Sequence, residues 1–307
     1  MKAKAGSNLE RILESGRFAV TCELGPPRGT SRKSIEAKGE LLRDYCDAIN
    51  VTDNQTAIVR MGSLPSCVIL REMGLEPVLQ ITTRDRNRLA IQSDILGAVA
   101  LGIKNLLCLS GDHPRLGDHP QAKGVWDLDS IQLIQTLRQM RDERKLLSGN
   151  EIRGEVPLFI GAAANPFADP FEFRVIRLGK KVQAGADFIQ TQAVFDLPRF
   201  ARFMAMVRDQ GLDERVHILA GVIPPKSAGM ARYMRDYVAG VLVPDELVRR
   251  REDAKDAKEE GLAISLEIIE QILEIPGVHG IHIMAVGWEE AVPEIVERAH
   301  LLPRPIV

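Results

Sequence analysis

The chain alternates short apolar segments with longer amphipathic ones, and this alternation restricts its fold more than any other feature. Eight apolar, β-branched runs each lead into a turn rich in Gly, Pro, Asp, Asn or Thr and then into a stretch of helical periodicity. The runs are Phe18–Glu23, Ala48–Thr52, Pro77–Thr82, Asn105–Leu109, Pro157–Ala163, Phe188–Thr191, His217–Ile223 and Ile281–Ala285. Near-continuous apolar strands separated by helices predict a parallel sheet whose two faces are both covered.

The number of repeating units favours one particular sheet. The amphipathic stretches lie near Ser31–Asp44, Ser63–Met73, Asn87–Leu101, Ser130–Arg144, Phe171–Ala184, Leu197–Asp209, Ala228–Val238 and Trp288–Leu301. Eight strand–helix units in 307 residues predict an α/β protein with a single-domain (β/α)8 TIM barrel. The alternative, an open doubly wound sheet, usually has a glycine-rich phosphate turn after its first strand. Here the turn contains Pro26 and Pro27, which do not suit the opening of such a helix.

Two segments interrupt the repeat and are predicted insertions within a single domain of residues 1–307. The segment near 111–127 is polar and rich in Gly, Pro and His, so we expect a mobile loop at the barrel mouth. The segment near 244–273 contains a run of mixed charges over 249–256. Opposite charges at helical spacing predict a solvated helix face there.

Charge and cysteine content exclude several classes of protein. The 40 Lys and Arg residues against 42 Asp and Glu residues give a formal charge of −2, which argues against a nucleic-acid partner because phosphate binding needs a clustered positive field. Cys22, Cys46, Cys67 and Cys108 form no metal-binding spacing, so reduced thiols and no metal site are expected. No apolar run reaches the length of a membrane span, and no apolar segment follows the N-terminal lysines; a cytoplasmic location is expected.

In a barrel of this kind, the chemistry lies at the carboxyl ends of the strands. Glu23 ends the first predicted strand beside Leu24, Pro26 and Pro27. Desolvation there would raise the pKa of its carboxyl group and make it a usable general acid. The alternative is a glutamate that caps a helix or forms an ion pair with an arginine.

Other strand ends supply candidates that each have a structural alternative. Asp112 follows a glycine that permits a tight turn or a close approach to a ligand, but the residues alone favour an Asx turn or a helix N-cap. Gln192 offers a donor and an acceptor for the edge of a heterocycle, or is a satisfied core amide. Lys181 near a helix end could simply compensate the helix dipole. The histidines form no site by their spacing.

Together these strand ends resemble the methylenetetrahydrofolate reductase family, flavin-dependent barrel enzymes that make methyltetrahydrofolate. The resemblance runs from about Phe18 to about Leu302. The motifs that carry it are Thr21-Cys22-Glu23-Leu24-Gly25-Pro26-Pro27, Val51-Thr52, Leu107–Asp112 and Lys181-Val182-Gln183-Ala184-Gly185-Ala186-Asp187-Phe188-Ile189-Gln190-Thr191-Gln192. The last is the most specific, because its lysine, Ala-Gly-Ala-Asp and Thr-Gln occur together at fixed spacing.

The resemblance implies a role for each matching residue. Glu23 corresponds to the general acid that protonates folate N10 as the five-membered ring opens, Asp112 to the aspartate between flavin and pterin, and Gln192 to a folate contact. The implied flavin-binding positions are Thr52, Gln80, Thr82, Ser110, Gly111, Asp112, Trp126, Asn165 and Lys181. The implied cofactor is a flavin, FAD by family default.

The chain also departs from the family pattern on the flavin side. Ser110 stands where an arginine is common, Gln80 and Thr82 lie where a histidine is common, and Asn165 replaces a tyrosine. The missing arginine leaves FMN open as the cofactor. Ala228 lies where some members have a nicotinamide-stacking phenylalanine.

These departures resemble the acetogen-type enzymes, whose flavin subunit receives electrons from an iron–sulfur partner subunit. The sequence therefore predicts an oligomeric reductase with a tetrahydrofolate substrate and such a partner. The alternatives are a flavin-independent reductase that uses NAD(P)H and a non-catalytic barrel subunit.

Overall fold

The eight predicted strands close into one parallel barrel in the computed structural model, which describes residues 3–238 and 240–307. Each strand pairs with the next along the chain, and the eighth pairs with the first, Ala19 opposite Gly280. The strands are β1 Ala19–Leu24, β2 Ala48–Val51, β3 Pro77–Thr82, β4 Asn105–Leu109, β5 Phe159–Ala164, β6 Phe188–Ala193, β7 His217–Val222 and β8 Gly280–Ile283. The prediction of a single-domain (β/α)8 barrel is confirmed.

Helices surround the barrel as the periodicity predicts. They are α1 Asn8–Glu14, α2 Arg32–Leu42, α3 Ser63–Glu72, α4 Arg88–Ala100, α5 Ser130–Arg138, α6 Phe171–Ala184, α7 Leu197–Asp209, α8 Ala228–Tyr237, α9 Asp245–Asp253, α10 Ala257–Leu273 and α11 Ala291–Arg298. Within residues 3–238 and 240–307, none of these helices has both the length and the hydropathy to cross a membrane. Residues 244–273 contain α9 and α10, and α10 buries Leu262, Ile264 and Ile269 on its way to β8.

The lower end of the barrel interior is apolar and closed. Phe159 and Phe188 stack inside it with ring centroids 5.2 Å apart. Gly161 makes room for this pair, because a Cβ at that position would lie 2.2 Å from the Phe188 ring. Sequence analysis did not predict α1, which lies across this end and buries Leu9, Ile12 and Leu13 against the interior cluster. A plugged lower end leaves the carboxyl ends of the strands as the open face of the barrel.

A layer of neutral polar side chains lies above the apolar plug. Gln190 exchanges amide hydrogen bonds with Asn50 at 2.7 and 3.0 Å and donates to the Thr21 hydroxyl at 3.0 Å. The Thr21 hydroxyl also lies 3.0 Å from Nδ1 of His282. Burial lowers the pKa of His282 to about 3, so its ring is neutral at physiological pH. Each of these groups finds a partner within the layer, which forms the floor beneath Glu23.

Candidate active site

A cavity of about 370 Å³ opens at the carboxyl ends of the strands, a volume within the range of small-molecule sites. Six of the eleven residues that the sequence singled out line it: Glu23, Gln80, Ser110, Asn165, Lys181 and Gln192. They come from β1, β3 and β6, from loops and from one helix, so the closed barrel brings together side chains far apart in the chain. Their functional roles stay predictions.

Glu23 is the acidic group of the cavity. Its side chain is partly buried at the upper end of β1 and accepts a hydrogen bond from Nε2 of Gln55 at 3.3 Å. Burial raises the pKa of Glu23 to about 7, while hydrogen bonds from Gln80 and Gln55 lower it and the charge of Glu289 raises it. Amides rather than an arginine face this carboxyl group. Near neutral pH it can therefore hold a proton and release it to a ligand.

Gln192 lines the cavity at the upper end of β6, two residues beyond Gln190, which lines it too. The pairing with β7 places Gln190 opposite Leu219 and Ala193 opposite Gly221, so β6 has one residue more than its partner. This irregularity is a β-bulge at the end of the strand. The Thr191 hydroxyl accepts the Gly221 N–H at 2.9 Å and fixes the bulge. The Gln192 side-chain oxygen accepts from the Ala193 N–H at 3.1 Å, and its amide nitrogen has no hydrogen-bond partner among the described residues.

One wall of the cavity is cationic. Arg174, Arg177 and Lys181 lie on α6 at helical spacing and all line the cavity. No carboxylate in the described part of the chain forms an ion pair with any of them. Lys181 is only 8% exposed and donates to the carbonyl of Ala163. Burial lowers the pKa of Lys181 to about 8, and the charge of Arg177 adds to this effect. This wall suits an anionic group.

Five of the residues singled out by sequence do not line this cavity: Thr52, Thr82, Gly111, Asp112 and Trp126. The Thr82 hydroxyl donates to the buried carboxylate of Asp53 at 3.0 Å, and Arg86 contacts the same carboxylate at 2.7 Å. Thr82 therefore holds β3 against the end of β2. Thr52 is 1% exposed, and its hydroxyl has no partner among the described residues.

Asp112 and Gly111 lie beside the cavity in a strained corner of the mouth. The exposed Asp112 carboxylate accepts the Thr56 N–H at 3.0 Å. Thr56 has a φ of 56°, and Asn54 and Ala57 are also left-handed, at 45° and 56°. Each such non-glycine residue costs about 1–2 kcal/mol. Gly111, at φ 81°, packs close to Thr82 and Arg84.

Trp126 closes the other side of this corner. Its indole N–H donates to the carbonyl of Ser110 at 3.0 Å, and its ring centroid lies 5.5 Å from that of His113. The side chain is 37% exposed, so an aromatic face is available at the rim. Asn165, on the far side, accepts the Phe167 N–H at 2.9 Å and packs against the backbone of Gly240.

Sequence reasoning missed several residues that line the cavity, among them Arg174, Arg177, Gln190 and His282. Gln190 and Thr21 lie two residues before Gln192 and Glu23, and the period of two in a strand places such residues on the same face. That alternation could have identified the polar layer. The two arginines had no comparable signal, because the helix that carries them was read only for its buried face.

These residues fit a flavin. The amide side chains of Gln80, Asn165 and Gln192 offer both donors and acceptors to the imide edge of a heterocycle. Arg174, Arg177 and Lys181 offer cations to a phosphate. In the described residues no group of three or more His, Cys, Asp or Glu side chains is arranged to hold a metal ion.

The fold and site define a class: a (β/α)8 barrel whose mouth presents a carboxyl group of raised pKa, several amides and a cationic wall. A family model described as methylenetetrahydrofolate reductase matches residues 8–300. The chain belongs to that family, and the family predicted from the strand-end motifs is confirmed.

Individual relatives agree with this assignment. The chain is 27% identical over 240 residues to methylenetetrahydrofolate reductase 2 of Schizosaccharomyces pombe, covering 74% of this chain and 36% of the relative. It is 23% identical over 285 residues to 5,10-methylenetetrahydrofolate reductase of Pectobacterium carotovorum, covering 90% and 88%. The chain thus spans little more than a third of the yeast relative but most of the bacterial one.

A solved structure shares the fold. It is an uncharacterised protein from Clostridium thermocellum that binds two copies of 5-methyl-5,6,7,8-tetrahydrofolic acid, and it aligns with a TM-score of 0.66 at 13% identity. The alignment covers 96% of this chain and all of the other. At this identity the likeness supports the barrel fold alone.

Proposed function

We propose that this chain reduces 5,10-methylenetetrahydrofolate to 5-methyltetrahydrofolate with a flavin as cofactor, as an oligomer in the cytoplasm. The observation that carries the proposal is Glu23, a carboxyl group whose pKa burial raises to about 7 in the wall of a cavity. Family membership supports the choice of substrate. A reduced flavin, when bound, supplies the hydride that the methylene carbon accepts.

Glu23 provides the proton that this reaction needs. The five-membered ring of the substrate opens when the bond between the methylene carbon and N10 breaks, and N10 must then be protonated. A carboxylate that is permanently charged cannot donate, whereas a carboxyl group with a pKa near 7 is partly protonated at physiological pH. Gln55 and Gln80 orient the Glu23 carboxyl group toward the cavity.

The other cavity residues hold the two planar molecules in place. Gln192 lines the same cavity as Glu23, where its amide can bind the pterin ring. Arg174, Arg177 and Lys181 attract the phosphate of the cofactor, which FMN and FAD share. Trp126 offers an aromatic face at the rim. Correct mutual orientation of the reacting rings is a large part of what such a site contributes to the rate.

The electron source that we propose is an iron–sulfur partner subunit of the acetogen type. Support comes from the first turn of α8, where Ser227, Ala228 and Gly229 offer no aromatic side chain to hold a nicotinamide. An aromatic stack is worth about 0.5–1.5 kcal/mol, so its lack weakens nicotinamide binding by about 2- to 10-fold.

Purified protein tests the proposal directly. We expect a visible flavin spectrum, fast bleaching by reduced viologen, slow bleaching by NADH or NADPH, and reoxidation by methylenetetrahydrofolate with formation of the methyl product. Fast, saturable reduction by micromolar NADH would contradict the partner-fed model. A colourless protein that turns over with NAD(P)H would instead establish a flavin-independent reductase. A colourless, inactive protein would point to a non-catalytic barrel subunit.

A further inference from the structure

A partly buried ion pair lies behind Glu23 on the side away from the cationic wall. Lys38 of α2 donates to the carboxylate of Glu289, which follows β8, and also to the carbonyl of Gly25 at 3.2 Å. Gly25 is two residues after Glu23. The side chains of Lys38 and Glu289 are 30% and 11% exposed, so water screens the pair only partly.

The position of the Lys38–Glu289 pair does not show that the fold requires it. It joins residues 251 positions apart, at the seam where β1 and β8 close the barrel, yet backbone pairing already holds that seam together. Ion pairs that are partly buried contribute little net stability, because desolvation offsets their attraction. The location of the pair suggests instead that it affects the protonation of the Glu23 carboxyl group.

We propose that Lys38 and Glu289 are a positioning pair for Glu23: they clamp the turn after β1 to the loop after β8 and set how far Glu23 is protonated near neutral pH. The inference rests on the proposed role of Glu23 as proton donor. Glu289 contributes a negative charge that favours the protonated form of Glu23, and Lys38 moderates that charge.

Other charged or titratable groups lie near the same turn, loop and cavity. Arg60 donates to the carbonyl of Pro26 at 3.0 Å, and Lys226 donates to the carbonyl of Gly287 at 2.6 Å. The others are Arg174, Arg177 and Lys181 across the cavity, His282 on β8, and Asp112 and Arg84 at the strained corner. His282 is neutral at physiological pH. Among all of them, Glu289 is the group whose charge acts on the pKa of Glu23.

The two members of the pair must act in opposite directions. In Lys38→Met, Glu289 loses its cation, so its full charge raises the pKa of Glu23. In Glu289→Gln the charge is gone and Lys38 remains, so the pKa of Glu23 falls. The expected shifts are about 0.5–1 pH unit each. In the double variant Lys38→Met/Glu289→Gln both charges are absent, and the titration returns close to that of the wild type.

Infrared titration of the ligand-free protein measures this without any activity. The signal is the C=O stretch of the protonated Glu23 carboxyl group, identified by its loss in Glu23→Gln. Lys33→Met, on the exposed face of the same helix, is the matched control and should leave the titration unchanged. Lys38→Arg preserves the charge and should titrate like the wild type, which keeps the test open if Lys38→Met folds poorly.

Shifts of opposite sign in the two single variants support the proposal. Shifts of the same sign, or no shift in either, would overturn it, because a merely structural clamp has no reason to produce opposite effects. Since the titration needs neither flavin nor folate, its failure is distinguishable from failure of the reductase assignment. If that assignment holds, the alkaline limb of kcat/KM moves in parallel with the infrared pKa.

Discussion

The two sides of the cavity carry ionisable groups of opposite sign, and the same environment moves both toward their neutral forms. On one side, burial raises the pKa of Glu23 to about 7. On the other, burial lowers the pKa of Lys181 to about 8. Neither has a partner of opposite charge in the described residues within ion-pairing distance. The two sides therefore differ in the chemistry they offer. Glu23 can donate a proton to a ligand, whereas Lys181 becomes fully protonated when an anion binds beside it.

Of the changes that test this difference between the two sides, removal of the acid Glu23 should have the largest effect. Glu23→Gln keeps the shape and the hydrogen-bonding capacity of the side chain but removes the transferable proton. We expect methylenetetrahydrofolate reduction to fall by about 10²–10⁴-fold, with reduction of the bound flavin by viologen unchanged. Single-turnover measurements of the two half-reactions separate these effects. A variant that retains near-normal turnover would show that Glu23 is not the proton donor.

The next largest effect belongs to the cationic side. Lys181→Met keeps the aliphatic stem and removes the charge, so an anionic ligand loses one charge-assisted hydrogen bond, worth about 1.5–3 kcal/mol. We expect FMN to bind about 10–100-fold more weakly by fluorescence titration, while riboflavin, which has no phosphate, is unaffected. Lys180→Met is the matched control, because Lys180 is exposed on the adjacent helix position. Equal losses for FMN and riboflavin would place the phosphate elsewhere.

The same two residues should limit the stability of the ligand-free protein. The folded-state pKa of Glu23 is raised, so its contribution is complete at low pH and is lost as the pH rises from about 4.5 to about 7. The folded-state pKa of Lys181 is lowered, so the free energy of unfolding rises again between about pH 8 and 10.5. Near pH 7.5 both charged forms cost stability.

Glu23→Gln and Lys181→Met should consequently raise the free energy of unfolding at pH 7.5, each by about 1–2 kcal/mol. Chemical denaturation at pH 5, 7.5 and 10 measures the change. The gain from Glu23→Gln should vanish at pH 5, and that from Lys181→Met should shrink at pH 10. A gain that did not depend on pH would show that side-chain packing, rather than charge, is responsible.

The barrel and its acid could be predicted from sequence because both depend on local patterns. Apolar runs with turns at their ends specify the strands, and the end of a strand specifies where Glu23 must lie. The partners of Thr82 could not be predicted in this way. Its hydroxyl is engaged by Asp53, 29 positions away, and only the closed sheet brings the two together.

The positions of the remaining cavity residues depend on three-dimensional features that could not be predicted from the sequence. The bulge in β6 beside Gln192 is one such feature, because no glycine or proline within that strand indicates it. Arg174 and Arg177 line the cavity from α6, and the hydrophobic periodicity of that helix identifies only its buried face. The alternation of inward and outward side chains along β6 would have identified Gln190. The cationic wall on α6, in contrast, can be recognised only once the neighbouring strands are placed.

The smallest predicted effect tests the hydrogen bonds on the acid side. Nε2 of Gln55 donates to Glu23 at 3.3 Å, a long hydrogen bond that lowers the pKa of the carboxyl group. Gln55→Met keeps the length of the side chain and removes the donor, so the pKa of Glu23 should rise, by about 0.3–0.5 pH unit for a weak neutral donor. Infrared titration of the carboxyl C=O stretch measures the shift. Since Gln55 lies between the left-handed Asn54 and Thr56, circular dichroism must first show that the variant folds normally. A fall in the pKa, or a pKa equal to that of the wild type, would mean that Gln55 does not bind the Glu23 carboxylate. The pKa of Glu23 would then be raised by burial and Glu289 and lowered by Gln80 alone.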